Sequence, residues 1–360
     1  MRIKQVKAIF IVFASFLLFT VGCSSSLPSN QVKITTTKLW AQSETSKEKI
    51  GGPSVKLKIA TLTQGSPWYV YGAAMAEVLR KNMPAGSVFD VLPYAGGIGN
   101  PTMVADKKSE LALSFSVTNK WAFEGNVAYE KKHDNIRALA GNFDQYYVGI
   151  VLRKDFTDKY GIESLKDLKE KKVPVRLMAI NVGSLGEFAT SQILEQYDLT
   201  YENIKQNGGS VSHTTFDVIQ QAFQDGRADM MIQVITKGHQ AFTEIALSTP
   251  VKFMPIDDDV VRKLEGIGYE AAELPAGGFK GQDEPVKTVG FPTVLIANQD
   301  LPEEQAYNIT KLISENKSDL VAVHKALAAF NPEEAWKPEK LGIPLHPGAE
   351  KYYKEKGWLK

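Results

Sequence analysis

The 360-residue sequence predicts an α/β protein of two lobes joined by crossover strands, with a cleft between them. Short β-rich runs alternate with runs of helical spacing, a pattern that right-handed crossovers turn into parallel sheet. The alternation pauses once, at two strands in quick succession, and then begins again as a second set. The length also exceeds what one small core usually spans.

The elements follow in order. Val55–Thr63 (VKLKIATLT) alternates and reads as a strand, and Tyr69–Asn82 carries helical spacing through Ala73, Ala76, Val78 and Leu79. Val88–Tyr94 is a second strand, Pro101–Lys107 a short helix, Leu111–Ser116 a third strand and Asn119–Glu124 a helix. Ile136–Asn142 and Tyr146–Leu152 are the two strands in succession. The second set reads as a helix at Ser164–Glu170, a strand at Val173–Ile180 and helices at Leu185–Gln196 and Phe216–Gln224, the last stopped by Asp225-Gly226. Ala228–Val234 is a strand, His239–Leu247 a helix and Val251–Ile256 a strand. Thr288–Ala297 is a strand in which Pro292 signals an edge or a bend. Pro302–Glu315 and Ser318–Phe330 read as helices. No repeat of fixed short period is visible.

Composition narrows the function. Lys plus Arg number 42 against 41 Asp plus Glu, so the chain has no bulk charge with which to hold nucleic acid. One cysteine excludes a disulfide framework and a multi-cysteine metal site. At the N-terminus, Arg2, Lys4 and Lys7 precede an uncharged, mostly apolar run from Ala8 to Val21, which has the length of a signal-peptide core rather than a membrane span. Cys23 follows Gly22 and resembles the lipobox cysteine of bacterial lipoproteins, although Thr20 stands where Leu is usual. The other reading of Cys23 is an incidental thiol. Loss of residues 1–22 removes three positive charges, so +1 becomes −2. Ser24 to about Pro53 is polar and reads as a flexible tether. The expected organisation is a signal peptide at 1–22, a lipidated cysteine and tether at 23–54, the first part of lobe one at 55–148, lobe two at 149–253, and a return segment with C-terminal helices at 254–360.

In parallel α/β sheets ligands sit at the carboxyl ends of strands. Five loops there are small, polar or aromatic: Gln64–Tyr69, Ala95–Asn100, Val117–Trp121, Asn181–Gly186 and Ile235–Gly238. Most lead into a helix, whose first N–H groups bind carboxylate or phosphate oxygens. One such loop is ordinary turn chemistry; five in matching positions point to a shared cleft. Trp68 and Trp121, each taken alone, read better as core. Gly96-Gly97-Ile98-Gly99 lacks the dinucleotide spacing, and no phosphate-loop lysine pattern occurs. Gly183-Ser184-Leu185-Gly186 is not a nucleophile elbow. The five histidines form no metal pair, His346 beside Pro347 reads as structural, and Asp257–Asp259 starts a helix. No catalytic residue, cofactor or metal is expected.

The chain resembles the TAXI family of solute-binding proteins of TRAP-type transporters. The resemblance rests on QGSPWYVYGAAMAEVL (64–79), Pro93–Asn100, LALSFSVTNKWAFEG (111–125), NVGSLGEFATSQIL (181–194), DGRADMM (225–231) and GIPLHPGAEKYYKEKG (342–357), and spans roughly 55–358. Many members read Gly-Gly-x-Tyr at Ser66–Tyr69, and a Pro or Gly often precedes Gly183-Ser184, so the family's ligand identity is not carried over. The resemblance implies a type II periplasmic-binding-protein fold with hinge crossover strands, closing on a small carboxylate or amino acid for delivery to a TRAP-type permease. Ser66, Gly97, Asn100 and Ser184 would offer donors to a carboxylate, Trp68 and Tyr69 would pack on its carbon chain, and Ser116, Thr118, Asn119 and Gln233 would read its other polar groups. Lys120 and Lys237 are the nearest cations. Arg176 begins a strand at the far end from these loops, so no arginine clamp is evident, which favours an amino acid or monocarboxylate over a dicarboxylate. The implied location is extracytoplasmic, anchored to the membrane through the N-terminal lipid. A ligand-sensing module for a signalling partner and a lipid-anchored enzyme are the alternatives on the same fold.

Overall fold

A computed structural model describes residues 50–360 apart from Gly65 and Ala95. The signal peptide, Cys23 and nearly all of the tether expected from sequence lie outside the described residues. Lobe one begins with β1 (Lys56–Ala60), where Leu57 and Ile59 are buried and Lys56 and Lys58 face water. Then come α1 (Pro67–Asn82), β2 (Val88–Leu92), α2 (Gly99–Ala105), β3 (Leu111–Phe115), α3 (Ser116–Glu124) and β4 (Ile136–Ala140). The chain crosses to lobe two through β5 (Gln145–Arg153), followed by α4 (Lys154–Tyr160), α5 (Lys166–Glu170), β6 (Arg176–Ile180), α6 (Leu185–Gln196) and α7 (Tyr201–Gln206). Next are β7 (Ser210–Thr214), α8 (Phe216–Gln224), β8 (Met230–Ile235), α9 (Gln240–Ser248), β9 (Val251–Phe253), α10 (Asp258–Gly266) and β10 (Glu270–Leu274). The return strand β11 (Val286–Asn298) leads to α11 (Glu303–Glu315), α12 (Lys317–Val323) and α13 (Pro347–Glu355).

Strand pairing gives the same order twice. Lobe one runs β2-β1-β3-β11-β4 and lobe two β7-β6-β8-β5-β9. In each, the first three strands are parallel, and the fourth is the antiparallel crossing strand, which lies between the third and the fifth. The two crossing strands pair with each other where Gly290–Pro292 meets Gln145–Tyr147. This is the type II periplasmic-binding-protein fold with hinge crossover strands. The repeat is one of topology, so no short sequence period betrays it. β11 joins the lobes physically. Val286–Pro292 pairs with β10 and β5, and Thr293–Asn298 with β3 and β4. Pro292 therefore marks the passage between the two sheets, as its lack of an N–H allows.

Two strands escaped the sequence pattern. β7 (SVSHT) and β10 (EAAEL) are each paired on one side only and are largely exposed, so neither carries a buried apolar face. The helix expected over Ser318–Phe330 stops at Val323 and continues as a 3₁₀ turn at Lys325–Ala329.

The C-terminal segment covers lobe one. Ala138 N–H donates to Pro344 O and His346 N–H to Ala138 O, which pairs the segment to β4. His346 is buried, and its Nδ1 accepts from Gly348 N–H at the start of α13. Tyr353 donates to Leu139 O. Gly342 lies in the left-handed region at φ 72°, and a Cβ there would fall 2.0 Å from the Ser116 carbonyl oxygen. Gly342→Ala is therefore expected to lower stability by at least about 2 kcal/mol in denaturant titration, because both backbones would have to move.

Candidate functional site

Of the thirteen described α-helices, nine carry Asp or Glu in the first turn. The four without one are α1, α2, α3 and α9. They are the helices that start at the carboxyl ends of β1, β2, β3 and β8. Acids at a helix start satisfy its positive dipole end, so these four starts are left uncompensated on the cleft side. The starts of α6 and α8, which follow β6 and β7, also belong to this side and carry Glu187 and Asp217; the Glu187 carboxylate is drawn away, accepting from Tyr201 Oη at 3.0 Å and lying 3.6 Å from His213 Nε2.

The expected ligand residues divide by what already holds them. Ser66 and Ser184 are the N-caps of α1 and α6, accepting from Tyr69 N–H and Glu187 N–H. Both are partly exposed, as is Tyr69. Gly97 is buried where the lobes touch: a Cβ on it would lie 3.1 Å from the Phe115 ring and 3.2 Å from Leu185 Cδ2 of lobe two. Val182, in the loop before α6, is 73% exposed at the rim.

Most other candidates are buried and make hydrogen bonds within the protein, although Asn100 Oδ1, Asn119 Oδ1 and Ser116 Oγ have no partner among the described residues. Trp68 is 2% exposed, with Nε1 donating to Thr293 Oγ1 and its ring 4.4 Å from Phe115. Asn100 Nδ2 spans the strand ends, donating to Thr61 O at 3.0 Å and Leu113 O at 2.7 Å. The segment read as a loop, Val117–Trp121, is helix, because β3 turns directly into α3 at Ser116. Thr118 Oγ1 accepts from Phe115 N–H and pairs with Ser114 Oγ, and Asn119 Nδ2 donates to Leu341 O. Gln233 is buried beneath Gly186, its Oε1 accepting from Val234 N–H. Lys237 Nζ is held by Ala276 O. Ser116 lines a separate cavity behind α3, together with Lys120. Arg176 forms an ion pair with buried Asp229 at the opposite end of the sheet, as its place in sequence predicts.

Residues 59–357 match the model of the NMT1-like family. The chain belongs to the NMT1-like family. Among solved structures it is similar to malate-bound MatC from Rhodopseudomonas palustris, at 18% identity over 85% of this chain and 98% of that one, with a TM-score of 0.48. It is also similar to methylphosphonate-bound PhnD1 from Prochlorococcus marinus, at 13% identity over 84% and 96%, TM-score 0.49.

In this NMT1-like protein the hinge side of the cleft is an aromatic cluster that sequence reading did not assemble. Phe115 touches Trp68, Tyr146 and Phe291 with centroids 4.4, 4.9 and 4.7 Å away. Further out, Trp121 of α3 meets Phe188 of α6 at 5.6 Å and donates to Ile267 O. These partners sit far apart in sequence, and only the sheet brings them together. Buried beside them, Asp144 accepts from Tyr71 Oη at 2.9 Å. Burial pushes its carboxyl up to about 6, against the opposing pull of the Thr293 and Tyr71 hydroxyls.

Burying a carboxyl in this way makes stability fall with rising pH. Below about pH 4 folded and unfolded forms both hold the proton. Between about pH 4 and 6 the unfolded chain releases it first, and above that range the loss is complete. Asp144→Asn removes this loss. Its stability relative to the parent should gain on the order of 2–3 kcal/mol between pH 4 and pH 7 in paired denaturant titrations. A flat difference across that range would contradict the buried-charge account.

Proposed function

We propose that this protein is an extracytoplasmic solute-binding lipoprotein of the TAXI kind, which captures a small carboxylate or amino acid between its lobes and presents it to a TRAP-type permease. The observation that carries the reading is the set of acid-free helix starts around the cleft. Such starts attract an anion through their N–H groups and dipoles without an arginine. The ligand carboxylate meets the starts of α1 and α6 near Ser66 and Ser184, Gly97 lets the backbone approach, and Tyr69 covers the carbon chain. Trp68, Asn100, Thr118 and Gln233 act one layer behind, holding strand ends and helix starts in place. The lobes close about β5 and β11, and the closed form is what the permease recognises. A binding role needs no turnover, and the bound molecule is recovered unchanged. In this reading the anchor is the lipid on Cys23, which closes the uncharged N-terminal run Ala8–Val21.

Purified residues 24–360 are to be screened by thermal shift against amino acids, monocarboxylates, dicarboxylates and neutral sugars. A ligand at 100 times its dissociation constant adds about 2.7 kcal/mol, which raises the midpoint by several degrees. Hits confined to neutral sugars would refute the anion reading.

Tyr69→Glu gives a sharper test. It completes a Ser-x-x-Glu capping box at the start of α1, so stability should hold or rise by about 0.5 kcal/mol. Carboxylate affinity should drop at least tenfold in calorimetry, because the added charge occupies the dipole. Ser66→Ala and Ser184→Ala should each cost about 1 kcal/mol of stability and weaken binding several-fold.

A further inference from the structure

The cavity behind α3 has about 740 Å³, within the range of small-molecule sites. Its walls come from α3, the turn between α10 and β10, and the C-terminal segment. Its charge is one-sided: Glu124, Glu265, Glu270, Glu339 and Glu350 line it against Lys120 alone. Some of these acids have partners; Glu350 holds Lys354 at 2.5 Å. Glu270 is different. It is half-buried, its closest cation is Lys340 at 3.8 Å, and burial pushes its carboxyl up. Aromatic surface from Phe123, Tyr269 and Trp336 and apolar surface from Leu341 and Ile343 complete the walls. Ser116, also in the lining, is 4% exposed and its Oγ has no hydrogen-bond partner.

We propose that this cavity is a second binding site, for a small organic cation with an apolar body, in which the ammonium lies against Glu265 and Glu270 and the body packs on Trp336 and Phe123. An underpaired carboxylate beside an aromatic wall is the arrangement that binds such cations, because attraction by the charge and by the ring faces adds to apolar burial. The partnerless Ser116 Oγ is available to a hydroxyl or N–H on the ligand. The uncompensated helix starts of the cleft favour anions, so the two sites select opposite charges. This inference stands independently of the transport reading.

The test is calorimetric titration of purified residues 24–360 with phenethylamine, benzyltrimethylammonium, neutral benzyl alcohol and phenylacetate. Both cations are expected to bind at least tenfold more tightly than the neutral and anionic compounds. The double substitution Glu265→Gln/Glu270→Gln should weaken cation binding at least tenfold with the thermal midpoint retained. Trp336→Ala should weaken it several-fold, and Tyr69→Glu should leave it unchanged. Absence of cation binding up to 10 mM, equal affinity for benzyl alcohol, or indifference to the Glu265/Glu270 double substitution would each overturn the proposal. Loss of cation binding in Tyr69→Glu would place the cations in the cleft instead, also overturning it.

Discussion

β11 is the constraint on which the rest of the molecule depends. A single strand is hydrogen-bonded to both sheets, and it changes partners at Pro292–Thr293. The same place anchors the aromatic cluster: Phe291 packs on Phe115, and Thr293 accepts from Trp68. With β5 crossing in the opposite direction, the lobes have two covalent links whose residues are also the floor between them. In the proposed closure this pairing would confine the lobes to rotation about a narrow line, since the sheets on either side are held by continuous ladders. Asp144 lies in the chain entering β5, so a buried titratable group sits next to that line.

The electrostatic organisation follows from the topology. Parallel strands put helix starts at one end of each sheet, and two such sheets facing one another concentrate them in the cleft. First-turn acids at nine of the described helices complement their dipoles. Their omission from α1, α2, α3 and α9 leaves positive potential where the lobes meet. Glu187 at α6 and Asp217 at α8 are the exceptions, and the ties of Glu187 to Tyr201 and His213 draw its charge into lobe two.

The C-terminal segment does more than finish the chain. It pairs with β4, which would otherwise be an open edge, and presses Gly342 against the start of α3. In doing so it walls the acidic cavity, so the second site proposed above exists only because the tail is folded onto lobe one.

The sequence by itself determined the alternation of strands and helices, the pause at two successive strands, of which only β5 is a crossing strand, the edge or bend signalled by Pro292 and the structural role of His346. Each of these depends on local periodicity or on the chemistry of one residue. It also located the loops that lead into helices, but read Ser66 and Ser184 there as ligand donors and not as the N-caps of α1 and α6. Tertiary structure alone decided which candidates are free to meet a ligand. Trp68, Asn100, Thr118 and Gln233 have the right residue types in the right loops, but Trp68 Nε1, Asn100 Nδ2, Thr118 Oγ1 and Gln233 Oε1 are engaged by Thr293, Leu113, Phe115 and Val234, which leaves Asn100 Oδ1 buried without a partner among the described residues. The edge strands β7 and β10 were invisible because a strand paired on one side needs no buried face. The aromatic floor and the acidic cavity were invisible because their residues come from several segments well separated in sequence, joined only when β11 closes the two sheets.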